Sequence, residues 1–193
     1  MNTFLRIASN FVTAAFVFGG LAATASWAGD AGDYSALLQA LPNSKLTLAD
    51  GLRQSTKGTE VPISAKFELN DDKQLALSVY TAEKGLAVDS EHNVLKERGG
   101  SPAKAAWTPE TEVFKDIPHV TRASAHLTVA AIAKHSLLEI VTRAQKEHPG
   151  TVFSVTPAIQ GKNAVFAVLI ANKGKVSEYT YDAMSGRAAA GKK

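Results

Sequence analysis

Residues Ser136 to Arg187 read SLLEIVTRAQKEHPGTVFSVTPAIQGKNAVFAVLIANKGKVSEYTYDAMSGR. The stretch opens on Ser136-Leu137-Leu138-Glu139, a capping box. The serine oxygen accepts a free backbone N–H, and the glutamate three residues later reaches back. Ile140, Val141 and Ala144 continue an apolar stripe at helical spacing until Pro149-Gly150 ends the helix. Val152 to Ile159 reads as a strand, and Pro157 inside it predicts an edge or a bulge. After a turn at Gln160 to Asn163, Ala164 to Ala171 is apolar on both faces, as a central strand is. Asn172 to Lys175 turns, and Val176 to Asp182 forms a third strand carrying Tyr179 and Tyr181 on one face. Connections this short predict antiparallel pairing.

The same order of signals occurs earlier, from Thr47 to Leu95. Thr47-Leu48-Ala49-Asp50 is a looser capping box, with Asp50 in the glutamate position. Gly51 weakens the helix by up to about 1 kcal/mol relative to alanine, so packing must hold it. Ile63 to Leu69 alternates apolar and polar residues, Asn70 to Lys73 turns, and Leu75 to Tyr80 alternates again. Glu83-Lys84-Gly85 predicts a second turn, with Leu86 to Leu95 returning as the third strand. Cap, hairpin and Lys-Gly turn recur in fixed order, at a spacing constant to within one residue, which is the signature of a duplicated unit. The predicted class is therefore α+β: two tandem units, each a helix on a three-stranded antiparallel sheet, over 44–96 and 136–187. Residues 97–135 are read as a linker plus a helix. Gly99-Gly100-Ser101-Pro102 has loop composition, Trp107 and Phe114 are candidate apolar anchors, and Asp116 with Pro118 marks a helix start. That helix is expected to reach about Lys134, with Val120, Ala123, Leu127 and Ala131 facing inward.

Residues 1–28 read as a cleaved signal peptide. Arg6 precedes the apolar run Phe11 to Phe18, and small residues follow through Ala28. Cleavage after Ala28 and cleavage after Ala25 both fit. The run is short for a membrane span of roughly 20 apolar residues, so no span is expected after cleavage, and the location is periplasmic or secreted. With no cysteine, the chain cannot rely on disulfides, thiolate metal sites or thiol catalysis. Its 21 basic and 18 acidic residues are nearly balanced and form no dense basic block, which argues against nucleic-acid binding.

The pattern resembles the PepSY domain family. The resemblance rests on the capped helix, Pro149-Gly150-Thr151, the apolar strand running into Asn172-Lys173-Gly174-Lys175, and the closing Glu178 to Gly186, EYTYDAMSG. It covers the second copy well and the first more loosely. It implies an exported, non-catalytic protein-binding module with a protein partner in the cell envelope, regulating or inhibiting a protease. A metal- or ligand-responsive periplasmic accessory protein is the alternative.

No nucleophile signature, phosphate loop or dinucleotide turn is present, so an enzyme is not expected and neither is a cofactor. His119 and His126 lie two helical turns apart, too far for joint chelation. His135 and Glu139 could share a metal, but Glu139 is better used in the capping box. No metal site is assigned. Tyr179 and Tyr181 are the candidate interface pair, with cover of their own helix as the competing role.

Overall fold

The computed structural model describes residues 34–189; the signal-peptide segment lies outside them. The elements are α1 (Ser35–Ala40), a short 3-10 turn (Leu41–Asn43), α2 (Leu48–Ser55), β1 (Val61–Leu69), β2 (Leu75–Ala82), β3 (Leu95–Gly100), β4 (Glu110–Val113), α3 (Ile117–Ile132), α4 (Leu137–Glu147), β5 (Thr151–Gln160), β6 (Asn163–Asn172) and β7 (Lys175–Asp182). Among the described residues the fold is mixed α+β, with four helices on a single antiparallel sheet of seven strands in the order β4-β3-β2-β1-β5-β6-β7.

The two helix-and-hairpin stretches meet at the centre of that sheet. β1 pairs with β5 through Ala65 opposite Val155 and Lys66 opposite Ser154. The helices divide between the two faces. Leu77 of β2 packs against Gly51 of α2, so Leu77, Val79 and Ala65 point toward α2. The chain of paired residues Ala65, Val155 and Val168 carries that face across to α4, and α2 and α4 lie side by side on it. Ser64 and Tyr80 point the other way and meet α3 through His126.

Both capping boxes form: Thr47 with Asp50, and Ser136 with Glu139. Asp116 caps α3 through the His119 N–H. The inward face of α3 is rotated from the expected one. Ala123, His126, Leu127, Val129 and Ala130 are buried, whereas Val120 and Ala131 are exposed. His126 reaches Ser64 from that buried face.

Three strand readings are corrected. The third strand of the first half is Leu95–Gly100 rather than Leu86 to Leu95. Residues between Glu83 and Val94 are held instead by local side-chain bonds. Asn93 Oδ1 accepts from Lys84 N at 2.9 Å, its amide donates to Gly85 and Val88 carbonyls, and Asp89 accepts from the backbone of Glu91 and His92. Such bonds compete with ladder formation. The glycines expected to open a flexible linker are strand residues, and a Cβ on Gly100 would lie 3.3 Å from Pro109 Cα. The linker itself contributes β4, an edge strand. Lastly, β5 is a central strand despite Pro157. Its pairing with β1 ends at Val155, and its bulge falls between Val152 and Ser154, so the missing proline N–H interrupts no ladder with β1.

The crossing from β3 to β4 is anchored as expected. Trp107 and Phe114 are buried. The backbone N–H of Trp107 donates to Gln54 Oε1 at 2.9 Å, and Gln54 Nε2 donates to the Ala105 carbonyl at 3.1 Å, which ties the loop to α2.

Candidate functional site

Tyr181 and Tyr179 face α4, by the register that pairs them with Phe166 and Val168. Tyr181 is fully buried, and its hydroxyl donates to Glu147 Oε2 at 2.9 Å. Burial and that carboxylate push the phenol well above its ordinary value. Tyr179 stacks on the His148 ring at 3.6 Å between centroids. Both rings cover the end of their own helix. Tyr181 therefore offers no area to a partner, whereas Tyr179 is half-buried and keeps part of its ring open.

The histidines are scattered. His119 bonds Asp116 and stacks on Phe114 at 5.3 Å, whereas His126 is buried beneath α3. Glu139 Oε2 accepts the Ser136 N–H at 2.7 Å, completing the cap, and lies 3.8 Å from His135 Nδ1. That is too long for a hydrogen bond. Among the described residues no group of three or more His, Cys, Asp or Glu side chains is placed to hold a metal ion.

One pair has the outline of catalytic machinery. Ser64 Oγ and His126 Nδ1 are 3.0 Å apart, the spacing of a nucleophile and its base. Both residues are buried, and among the described residues no carboxylate hydrogen-bonds the ring to orient it. Burial, with Arg122 nearby, lowers the His126 pKa to about 4, too low for a base working near neutrality. The pair serves as a buried polar clasp between α3 and β1.

A second buried cluster involves Glu60, which lies between α2 and β1. Arg98 grips it with two bonds, Nε to Oε1 at 2.8 Å and Nη2 to Oε2 at 2.7 Å, and Thr81 Oγ1 donates at 2.6 Å. Lys96 stands 3.7 Å away and pairs with Glu83 at 2.6 Å. The Arg98 bonds hold Glu60 at a pKa of about 2. Oε1 accepts two of these bonds and Oε2 one, so the cluster ties β3 and β2 to the segment before β1.

Two concavities among the described residues bear on function. The larger, about 650 Å³, opens beside the exposed edge strand β4, and Glu68, Glu97, Glu110 and Glu112 line it with Ser78 and Lys104. Glu97 pairs across the sheet with Tyr80 on one side and Glu112 on the other. Ser78 Oγ donates to Glu97 Oε1. Burial raises the Glu97 pKa, and the Glu68 and Glu112 carboxylates add to the rise against the Lys66 charge. Lys66 is itself ion-paired with Glu68. The cleft thus holds surplus negative charge on a partly desolvated surface, next to strand backbone that no other strand among the described residues pairs. Sequence reading missed it because its carboxylates come from β1, β3 and β4, and two of those strands were read as linker.

The smaller concavity, about 300 Å³, lies where α2, the start of β1, the end of α3 and the start of α4 converge. Leu52, Val61, Pro62, Ala130, Leu137 and Leu138 form most of its wall.

No family profile matches the chain, and no curated protein matches it. A crystal structure described as a "putative lipoprotein" from Clostridium difficile 630 aligns with 12% identity and a TM-score of 0.35. The alignment covers 68% of this chain and 81% of that one. Among the described residues no helix is long and apolar enough to cross a membrane.

Proposed function

We propose that this is an exported, non-catalytic binding protein built from two PepSY-like units, and that it takes an extended, cationic segment of a protein partner in the cell envelope along β4. The observation that carries this reading is the juxtaposition of an open strand edge with a four-glutamate cleft of about 650 Å³. An edge strand supplies backbone donors and acceptors to an added strand, and pockets beside it select alternate side chains. Lysine or arginine side chains on such a segment would enter the cleft, and the like charges that raise Glu97 would be relieved. The export reading rests on residues 1–28, and the tandem-unit reading on the recurring cap, hairpin and Lys-Gly turn. Control of an envelope peptidase is one form this binding could take, and dose-dependent inhibition by the purified protein tests it.

The direct test uses two labelled peptides of equal length, one alternating lysine with valine and one alternating glutamate with valine, titrated by fluorescence polarisation. The lysine peptide should bind, with affinity that falls as salt is raised and as pH falls, because Glu97 takes up its proton before an ordinary carboxylate does. Paired Glu97→Lys and Glu112→Lys substitutions should weaken binding at least tenfold. Equal binding of the glutamate peptide, or no effect of the substitutions, contradicts the proposal.

A further inference from the structure

The smaller cavity lies at the seam between the two halves of the sheet, and its composition points to a ligand class distinct from the cationic segment. Its wall is mostly aliphatic, and apart from the His135 ring and Lys134 its polar groups are already satisfied. Thr56 Oγ1 donates to the Leu52 carbonyl at 3.1 Å, Pro62 has no N–H, and the N–H of Ser136 is taken by Glu139. A cavity with so little unmet polarity does not hold water well. Leu86, which closes one side, is left 37% exposed, an apolar side chain at an open rim. At about 300 Å³ the space is at the lower end of small-molecule sites, ~300–1,000 Å³, so it suits one short chain rather than the two acyl chains of a membrane lipid.

The rim carries one charge with nothing to neutralise it. Lys134 lines the mouth, is exposed, and makes no ion pair among the described residues. Its backbone N–H is fixed to the Ala183 carbonyl at 3.0 Å, which anchors the residue at the entrance. The neighbouring His135 is turned toward Glu139 and packs near Gly186, where a Cβ would come within 2.9 Å of its Nε2. Lys134 is therefore the partner available to a head group, and the head it complements is an anion.

We propose that the seam cavity binds a free medium-chain fatty acid, with the aliphatic tail among Leu52, Pro62, Leu137 and Leu138 and the carboxylate paired with Lys134. Occupancy would brace α2 against α4, the two helices that lie across the seam.

Calorimetric titration of the purified protein with decanoate, 1-decanol and decyltrimethylammonium separates the contributions of tail and head. The expected result is one decanoate per chain, bound at least tenfold tighter than either of the other two. Lys134→Glu, a surface change, should remove that preference while leaving decanol binding intact. Ala133→Phe, which projects a ring into the cavity, should abolish binding of all three, with circular dichroism confirming that the variant is folded. Absence of saturable decanoate binding below its self-association concentration overturns the proposal. So does equal affinity for the three head groups, or decanoate binding indifferent to Lys134→Glu. None of these outcomes bears on the lysine peptide, whose cleft is lined by different residues.

Discussion

His126 is the residue at which burial and charge conflict most directly. In the folded protein it titrates near 4 because desolvation, aided by Arg122, disfavours the imidazolium; an unfolded histidine titrates near 6.5. A group with a depressed folded pKa of this kind gives its full contribution above the unfolded value and loses it as pH falls. Stability should therefore decline between about pH 6.5 and 4, by roughly 3 kcal/mol at most. His126→Leu, which takes up no proton, should flatten that part of the profile in thermal melts. Glu60 acts in a lower window. Its folded pKa of about 2 means that its contribution is complete above about 4.5 and is lost as pH falls toward 2. Removing its partner is a sharper test. Arg98→Met strands a carboxylate that is only 5% exposed, and chemical denaturation should show a loss of about 3–5 kcal/mol. Neither feature was legible in the sequence. Glu60, Thr81 and Arg98 are distant along the chain, and nothing local to Lys96-Glu97-Arg98 distinguishes a charged loop from a strand whose charges are buried in pairs.

At the scale of the element, α2 shows why intrinsic propensity misleads. Gly51 is a poor helix former, and its replacement by alanine should help an isolated helix by about 1 kcal/mol. In the fold a Cβ there would come within 2.5 Å of Leu77 Cδ2 and 3.3 Å of Leu77 Cγ, and Leu77 is fully buried. Gly51→Ala should therefore destabilise the protein, by about 1–3 kcal/mol as overpacking does, in urea unfolding. Strand β6 carries the complementary lesson. Its apolar run was legible as central, because a strand covered on both faces needs no polar alternation. Which residues are deepest was not legible. Val168 is fully buried, whereas Leu169, on the α3 side, is only partly so. Val168→Asp should unfold the protein, and Leu169→Asp should cost measurably less. β3 was misplaced because the ordering of its predecessor loop depends on Asn93 and Asp89 reaching backbone several residues away, a pattern without periodicity.

For the whole molecule, capped helices, hairpins and turns could be read from residue order, but their assembly could not. Local signals specify each half and carry no information on which strand edges meet. Here β1 and β5 meet, and the two halves become one sheet with α2 and α4 side by side on one face. That junction places the aliphatic cavity at the seam and pushes the acidic cleft out to the β4 edge, so both candidate sites depend on it. Lys66 and Ser154 stand directly opposite each other across the junction, and the chain has no cysteine of its own to confuse a cross-link. Opposed residues in an antiparallel pair have Cα atoms roughly 4.5–5.5 Å apart, within the ~4.4–6.8 Å that a disulfide spans. The decisive measurement is oxidation of the Lys66→Cys/Ser154→Cys variant at low concentration. Near-complete intramolecular disulfide formation with unchanged circular dichroism is the predicted result. A folded monomer that stays reduced, or that links only between molecules, would contradict the shared sheet on which both sites rest.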